Sequence, residues 1–113
     1  MEKELLELFL PKGLLDYFEV TDIKQADDRF SIHLEERNII PVEYSDRKLL
    51  SKGFYDATTI QDFPVRGKAC YLMVKRRRWL IESTGQIVSR NWDLVAKGTR
   101  LTQEFASFLK GLH

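Results

Sequence analysis

From Arg29 to Glu35 the chain alternates. Phe30, Ile32 and Leu34 fall on one side of an extended backbone, and Arg29, Ser31, His33 and Glu35 on the other. Successive side chains of a strand point to opposite faces, so this is a half-buried strand. Residues 18–23, FEVTDI, alternate less cleanly before it, and the intervening KQADD is a turn, which predicts a hairpin. Upstream, residues 2–10 set Leu5, Leu6, Leu8 and Phe9 on a helical stripe. Pro11 ends that helix because it lacks an amide donor and restricts Leu10. A short second helical turn is expected in GLLDYF.

Residues 38–53 have no clean period, carry Pro41 and close on Lys-Gly; they predict a loop with at most one helical turn. Strand character returns in residues 54–63, rich in β-branched and aromatic side chains. PVRGK is a turn, residues 69–82 form the longest strand expected in the chain, and STG turns it back into residues 86–92. The end of the chain places Leu101, Phe105, Phe108, Leu109 and Leu112 on one helix face, with Thr102 as its cap and Gly111 as its stop. The pattern predicts one α+β domain over residues 1–113. It has an N-terminal helix, an antiparallel sheet of about five strands from two hairpin units, and a C-terminal helix packed on the sheet.

Charge changes this picture. The net charge is only +1, but residues 1–62 hold eight Lys or Arg against fourteen Asp or Glu, a net −6, and residues 63–113 hold ten against three, a net +7. Such asymmetry points to a polyanionic partner, or to an acidic half that packs on the basic half and cancels it. The sharpest feature is the run Lys75, Arg76, Arg77, Arg78 ahead of Trp79. On a strand these cations cannot share one face, so some of them need an acidic partner or a polyanion. Arg66, Lys68, Arg90 and Arg100 flank the run, and Trp79 or Trp92 can pack beneath an arginine stem.

Other chemistry finds little footing. Cys70 is the one cysteine and alternates with Leu72 and Val74, which reads as a small buried hydrophobe; His33 and His113 are scattered, so no metal site is expected. Neither a nucleophile elbow nor a phosphate-binding glycine loop is present, and Asp27-Asp28 and Glu35-Glu36 read as solvated pairs. No enzymatic activity and no cofactor are expected. The start is interrupted by Glu2, Glu4 and Glu7 and no apolar run nears the ~18 residues of a membrane span, which predicts a cytoplasmic protein with no membrane partner.

The strings SKGFYDATTIQDFPVRGKACYLMVKRRRW and TGQIVSRNWDLVAKGTRLTQEFASFL, with LFLPKGLLDYFE near the start, resemble the N-terminal region of bacterial insertion-sequence transposases, in the subgroup where that region is a short protein of its own. The resemblance covers most of the chain and is weakest from Thr21 to Arg47. In larger relatives the basic stretch opens a zinc ribbon with Cys-x-x-Cys behind the arginines, followed by a helix-turn-helix and an Asp-Asp-Glu catalytic domain. Here the segment behind Arg78 is WLIESTG, without a cysteine. The resemblance therefore implies a ribbon that has lost its metal, with Trp79, Ile81 and Trp92 packing in its place. It implies an accessory DNA-binding role for a mobile element, in which the cations meet the duplex at element ends and a separate protein supplies catalysis. The rival expectation is a module that docks onto a transposase subunit, or onto another copy of itself, without touching DNA.

Overall fold

A computed structural model describes residues 3–98 and 103–110. The chain is α+β. It runs α1 (Lys3–Glu7), α2 (Leu14–Tyr17), β1 (Phe18–Gln25), β2 (Arg29–Glu36), a 3-10 turn (Val42–Tyr44), β3 (Leu49–Phe54), β4 (Thr58–Val65), β5 (Lys68–Lys75), β6 (Arg77–Ile81), β7 (Ile87–Val88), α3 (Trp92–Gly98) and α4 (Gln103–Lys110). Arg100, Leu101, Thr102, Gly111 and Leu112, expected as a flanking cation and as parts of the last helix, lie outside the described residues.

The expected single antiparallel sheet is replaced by two. One has the order β1-β2-β5-β4 and the other β3-β6-β7. The β1–β2 hairpin forms as its alternation predicts, with Ile32 and Leu34 buried. β2 and β5, however, pair in parallel, Phe30 opposite Cys70 and Leu34 opposite Val74. The expected 69–82 strand is divided at Arg76, and its burial pattern explains why. Cys70, Leu72, Val74 and Arg76 are buried, then Trp79 and Ile81. Buried positions shift from even to odd numbers, and a strand whose inward side changes parity has changed the layer it faces. At the junction the Tyr55 N–H donates to the Arg76 carbonyl (2.9 Å) and the Arg77 N–H donates to a Glu36 carboxylate oxygen (2.9 Å).

Two further expectations are corrected. The presumed loop over residues 38–53 holds β3, which pairs Leu49 with Ile81 and Ser51 with Trp79. The presumed strand over residues 86–92 is only Ile87–Val88, after which Trp92 opens α3. Asn91 causes that change: its side-chain oxygen accepts the N–H groups of Asp93 (3.0 Å) and Leu94 (3.3 Å), which leaves the backbone a helix start in place of a strand.

Each sheet has its own core. Leu6, Leu10, Leu14, Leu15 and Phe18 cover one face of the four-stranded sheet together with Trp92, Val95, Phe105, Ala106 and Leu109 from the two C-terminal helices, against Ile32, Leu34, Ile60, Leu72 and Val74. The C-terminal helix thus packs on a sheet as expected. The three-stranded sheet is held by a smaller cluster of Trp79, Ile81 and Val88, with Tyr44 and Leu49 against it. No described helix is long and apolar enough to cross a membrane.

Candidate nucleic-acid interface

Glu36 lies at the centre of the cationic region, at the end of β2. Sequence reasoning treated it as half of a solvated acidic pair; it is 1% exposed. The signal that would have placed it inward is the alternation itself, because Ile32, Leu34 and Glu36 occupy one face of the strand. Its two carboxylate oxygens accept from the Arg77 backbone N–H (2.9 Å) and the Arg90 Nε (2.8 Å). Burial pushes the Glu36 carboxyl above its ordinary 4.5, and the Arg77 N–H and the Arg90 guanidinium pull it only part of the way back.

Arg90 is consumed by the same arrangement. Besides Glu36 it donates to the Ile39 carbonyl, and its guanidinium lies over the rings of Tyr17 (5.0 Å), Trp79 (5.4 Å) and Trp92 (5.7 Å). The expected packing of tryptophan beneath an arginine is therefore present, within the fold. Trp92 also stacks on Phe18 (5.4 Å) and meets Tyr17 edge-on (5.8 Å), while the Trp79 indole N–H donates to Asn38 (3.0 Å). Both tryptophans are core residues, with no face left for a base.

The four-cation run splits into three environments. Arg76 is buried, its guanidinium 4.8 Å from the centre of the Tyr55 ring, and desolvation lowers its pKa. Arg77 and Arg78 are half-buried. Arg77 donates to the Glu36 carbonyl (3.0 Å) and to Ser51 and covers Phe54 (4.5 Å); Arg78 donates to the Lys52 carbonyl (3.1 Å) and lies 5.7 Å from the centre of the same Tyr55 ring. Lys75 is 47% exposed and stands 4.0 Å from Glu35. Tyr55 and Ser51 are functional neighbours that sequence reasoning did not single out; neither carries a charge or motif that would have marked it.

At the other end of β5 the β4–β5 hairpin turns through Arg66 and Gly67, both in the left-handed region at φ 51° and 77°, between the paired residues Val65 and Lys68. Two consecutive positive φ values make the two-residue turn that follows strand twist best, and Asn or Asp ordinarily precedes its glycine. Here an exposed arginine does so. Lys68 beside it donates to the Ala26 carbonyl (3.3 Å) and lies over Phe30 (5.3 Å). Among the described residues, no carboxylate lies within ion-pair distance of Arg66, Lys68, Arg77 or Arg78.

An open polar cleft of about 500 Å³ adjoins the run, with Tyr44, Tyr55, Arg76, Arg90, Glu43 and Asp93 among its walls. Its two arginines are offset by two acids and are already held by rings and by Glu36, so it has no surplus charge for an anion. The Cys70 thiol is buried and pushed up in pKa by burial and by Asp62, the opposite of an activated nucleophile. No three His, Cys, Asp or Glu side chains gather as a metal site among the described residues. No known protein family, curated protein or solved structure matches this chain.

Proposed function

We propose that the chain is a non-catalytic DNA-binding accessory of an insertion-sequence transposase, contacting duplex DNA at element ends and working with a separate catalytic protein. The resemblance of residues 51–79 and 84–109 to the N-terminal region of those transposases supplies the system. The observation that carries DNA contact is the tip of the β4–β5 hairpin. An L-arginine held at φ 51° is conformationally costly where Asn would be easier, and among the described residues no carboxylate holds its guanidinium there. A side chain retained against local preference, exposed and cationic, fits an external phosphate.

Contact falls to Arg66 and Lys68 at the tip and to Lys75 and Arg78 at the far end of the strand path. Arg76, Arg77 and Arg90 instead build the joint between the sheets. In this reading the cluster of Trp79, Ile81 and Val88 does for the ribbon what zinc does in the larger relatives: it fixes two strands and a turn by burial. Fluorescence anisotropy with duplex DNA tests it. Four neutralised phosphates give a slope of log affinity against log salt of roughly −3.6. A chain that shows no binding to duplex at low salt sinks the reading and leaves the docking module in its place.

A further inference from the structure

We infer that Phe63 is an apolar wedge that enters between stacked base pairs and bends the bound duplex; this rests on the DNA-binding reading above and adds a change of DNA shape to it. Phe63 is 87% exposed, the highest value for a large apolar side chain among the described residues, and Pro64 beside it is exposed as well. Both lie on β4, an edge strand of the larger sheet. The pairing of β4 with β5 explains the exposure. Asp62 stands opposite Cys70 and Val65 opposite Lys68, so Phe63 and Pro64 together oppose the single residue Ala69. Two residues against one make a bulge, which re-aims a side chain out of the ladder and tolerates a proline. Bulges and prolines also guard sheet edges against stray pairing, but that task calls for charge, and a phenylalanine in water works against it.

What surrounds Phe63 identifies its partner. Arg66 follows three residues on, exposed at the apex of the hairpin, and Lys68 opens the returning strand. Asp62 sits on the Cys70 side of the strand, Asp28 is paired with Arg29 (3.2 Å), and Asp27 lies on the separate β1–β2 turn. At a strand rise of about 3.4 Å per residue the ring trails the apex by roughly 10 Å. That is of the order of a groove width in duplex DNA, about 6 Å for the minor and about 12 Å for the major groove. A ribbon laid across a groove can thus rest its cationic apex on one phosphate strand and hold the ring over the base steps. A lipid surface would demand the reverse order, because Arg66 would lead the way into hydrocarbon ahead of the ring. Apolar wedges of this kind, Phe and Pro among them, unstack a base step and kink the duplex by roughly 20–90°.

The test titrates the full chain into a duplex of roughly 20 base pairs with a donor and an acceptor dye at its ends, energy transfer reading the bend and anisotropy the affinity. Wild type should raise the transfer and should bind a duplex with a central mismatch several-fold more tightly than a matched one, because a weakened step unstacks cheaply. Phe63→Ala should bind about tenfold more weakly, as loss of one stacking contact does, and should leave the DNA straight and the mismatch preference gone. Its melting temperature should not change, since Phe63 is exposed, and neither should its salt slope, since insertion neutralises no phosphate. Phe63→Leu should keep most of the bend. Binding without a bend, or a Phe63→Ala variant that bends DNA as wild type does, overturns the wedge and leaves the phosphate contacts standing. A salt slope that becomes shallower along with the affinity also overturns it, because Phe63 would then act only by holding Arg66. Capture by anionic lipid vesicles in place of duplex would assign the ring to a membrane surface, and no binding to any duplex would remove this inference together with the reading beneath it.

Discussion

The two ends of the strand path through β5 and β6 carry the same kind of residue in opposite circumstances. At the junction with the small sheet, Arg76 and Arg90 are 7% and 6% exposed and face aromatic rings and a buried carboxylate. At the hairpin tip, Arg66 is exposed on a left-handed turn. The difference teaches that an arginine's role follows from what surrounds its stem. A guanidinium is weakly hydrated and planar, so rings and carbonyls can take it inside a fold, and its charge then belongs to the architecture. Where such surroundings are partial, as at Lys68 and Arg78, or absent, as at Arg66, charge is left for a partner.

The largest effect should come from the inner group. Arg90→Ala strips Glu36 of its buried cation, and breaking a buried pair from one side costs about 3–5 kcal/mol; a urea melt would show it as a drop in midpoint large enough to unfold a marginal domain. If the variant melts like wild type, the inner and outer cations are not different in kind. Next, Tyr55→Leu removes the ring shared by Arg76 and Arg78. A loss of about 1–2 kcal/mol is expected from the two cation–π contacts, and the same melt reads it.

Glu36 sharpens the comparison through pH. Its folded pKa lies above 4.5. The native state therefore holds that proton more tightly than the unfolded chain, and the contribution is fully present below 4.5 and is lost as pH rises through the folded value. Glu36→Gln cannot lose a proton, so its stability relative to wild type should climb across that window in melts at successive pH values. A flat difference would mean that the Arg77 N–H and Arg90 fully offset the burial.

The smallest change in stability belongs to the outer group. Arg66→Asn suits the turn better, so stability should hold or rise by up to about 1 kcal/mol. In the DNA titration the salt slope should become shallower by about 0.9, one phosphate contact. A variant that binds DNA unchanged would remove the hairpin tip from the interface.

Much of the fold was legible in the residues, and the gaps have physical causes. The faces of β2 and the helical spacing of Phe105 and Leu109 are local properties, written in periods of 2 and 3.6, whereas the first helix, expected to run to Pro11, ends at Glu7. The parallel pairing of β2 with β5 is not local: nothing in either strand says which neighbour it will meet. The cation run misled for a related reason. Alternation shows that Arg76 and Arg78 share a side, but whether that side meets water or Tyr55 depends on a residue about twenty positions away. Glu36 and Asn91 were readable in principle, one from strand parity and the other from its position just ahead of Trp92 and Asp93.

The parallel contact between β2 and β5 also sets an order of events as the protein acquires its structure. The β1–β2 and β4–β5 hairpins close over short turns, on the microsecond scale of such units. Joining them requires the whole segment from Arg37 to Gly67 to be looped back, an entropic toll that short turns escape. Chains rich in such non-local pairing assemble slowly. The seam between the hairpins should therefore be the step that limits assembly of the large sheet, and substitutions that weaken it should slow refolding.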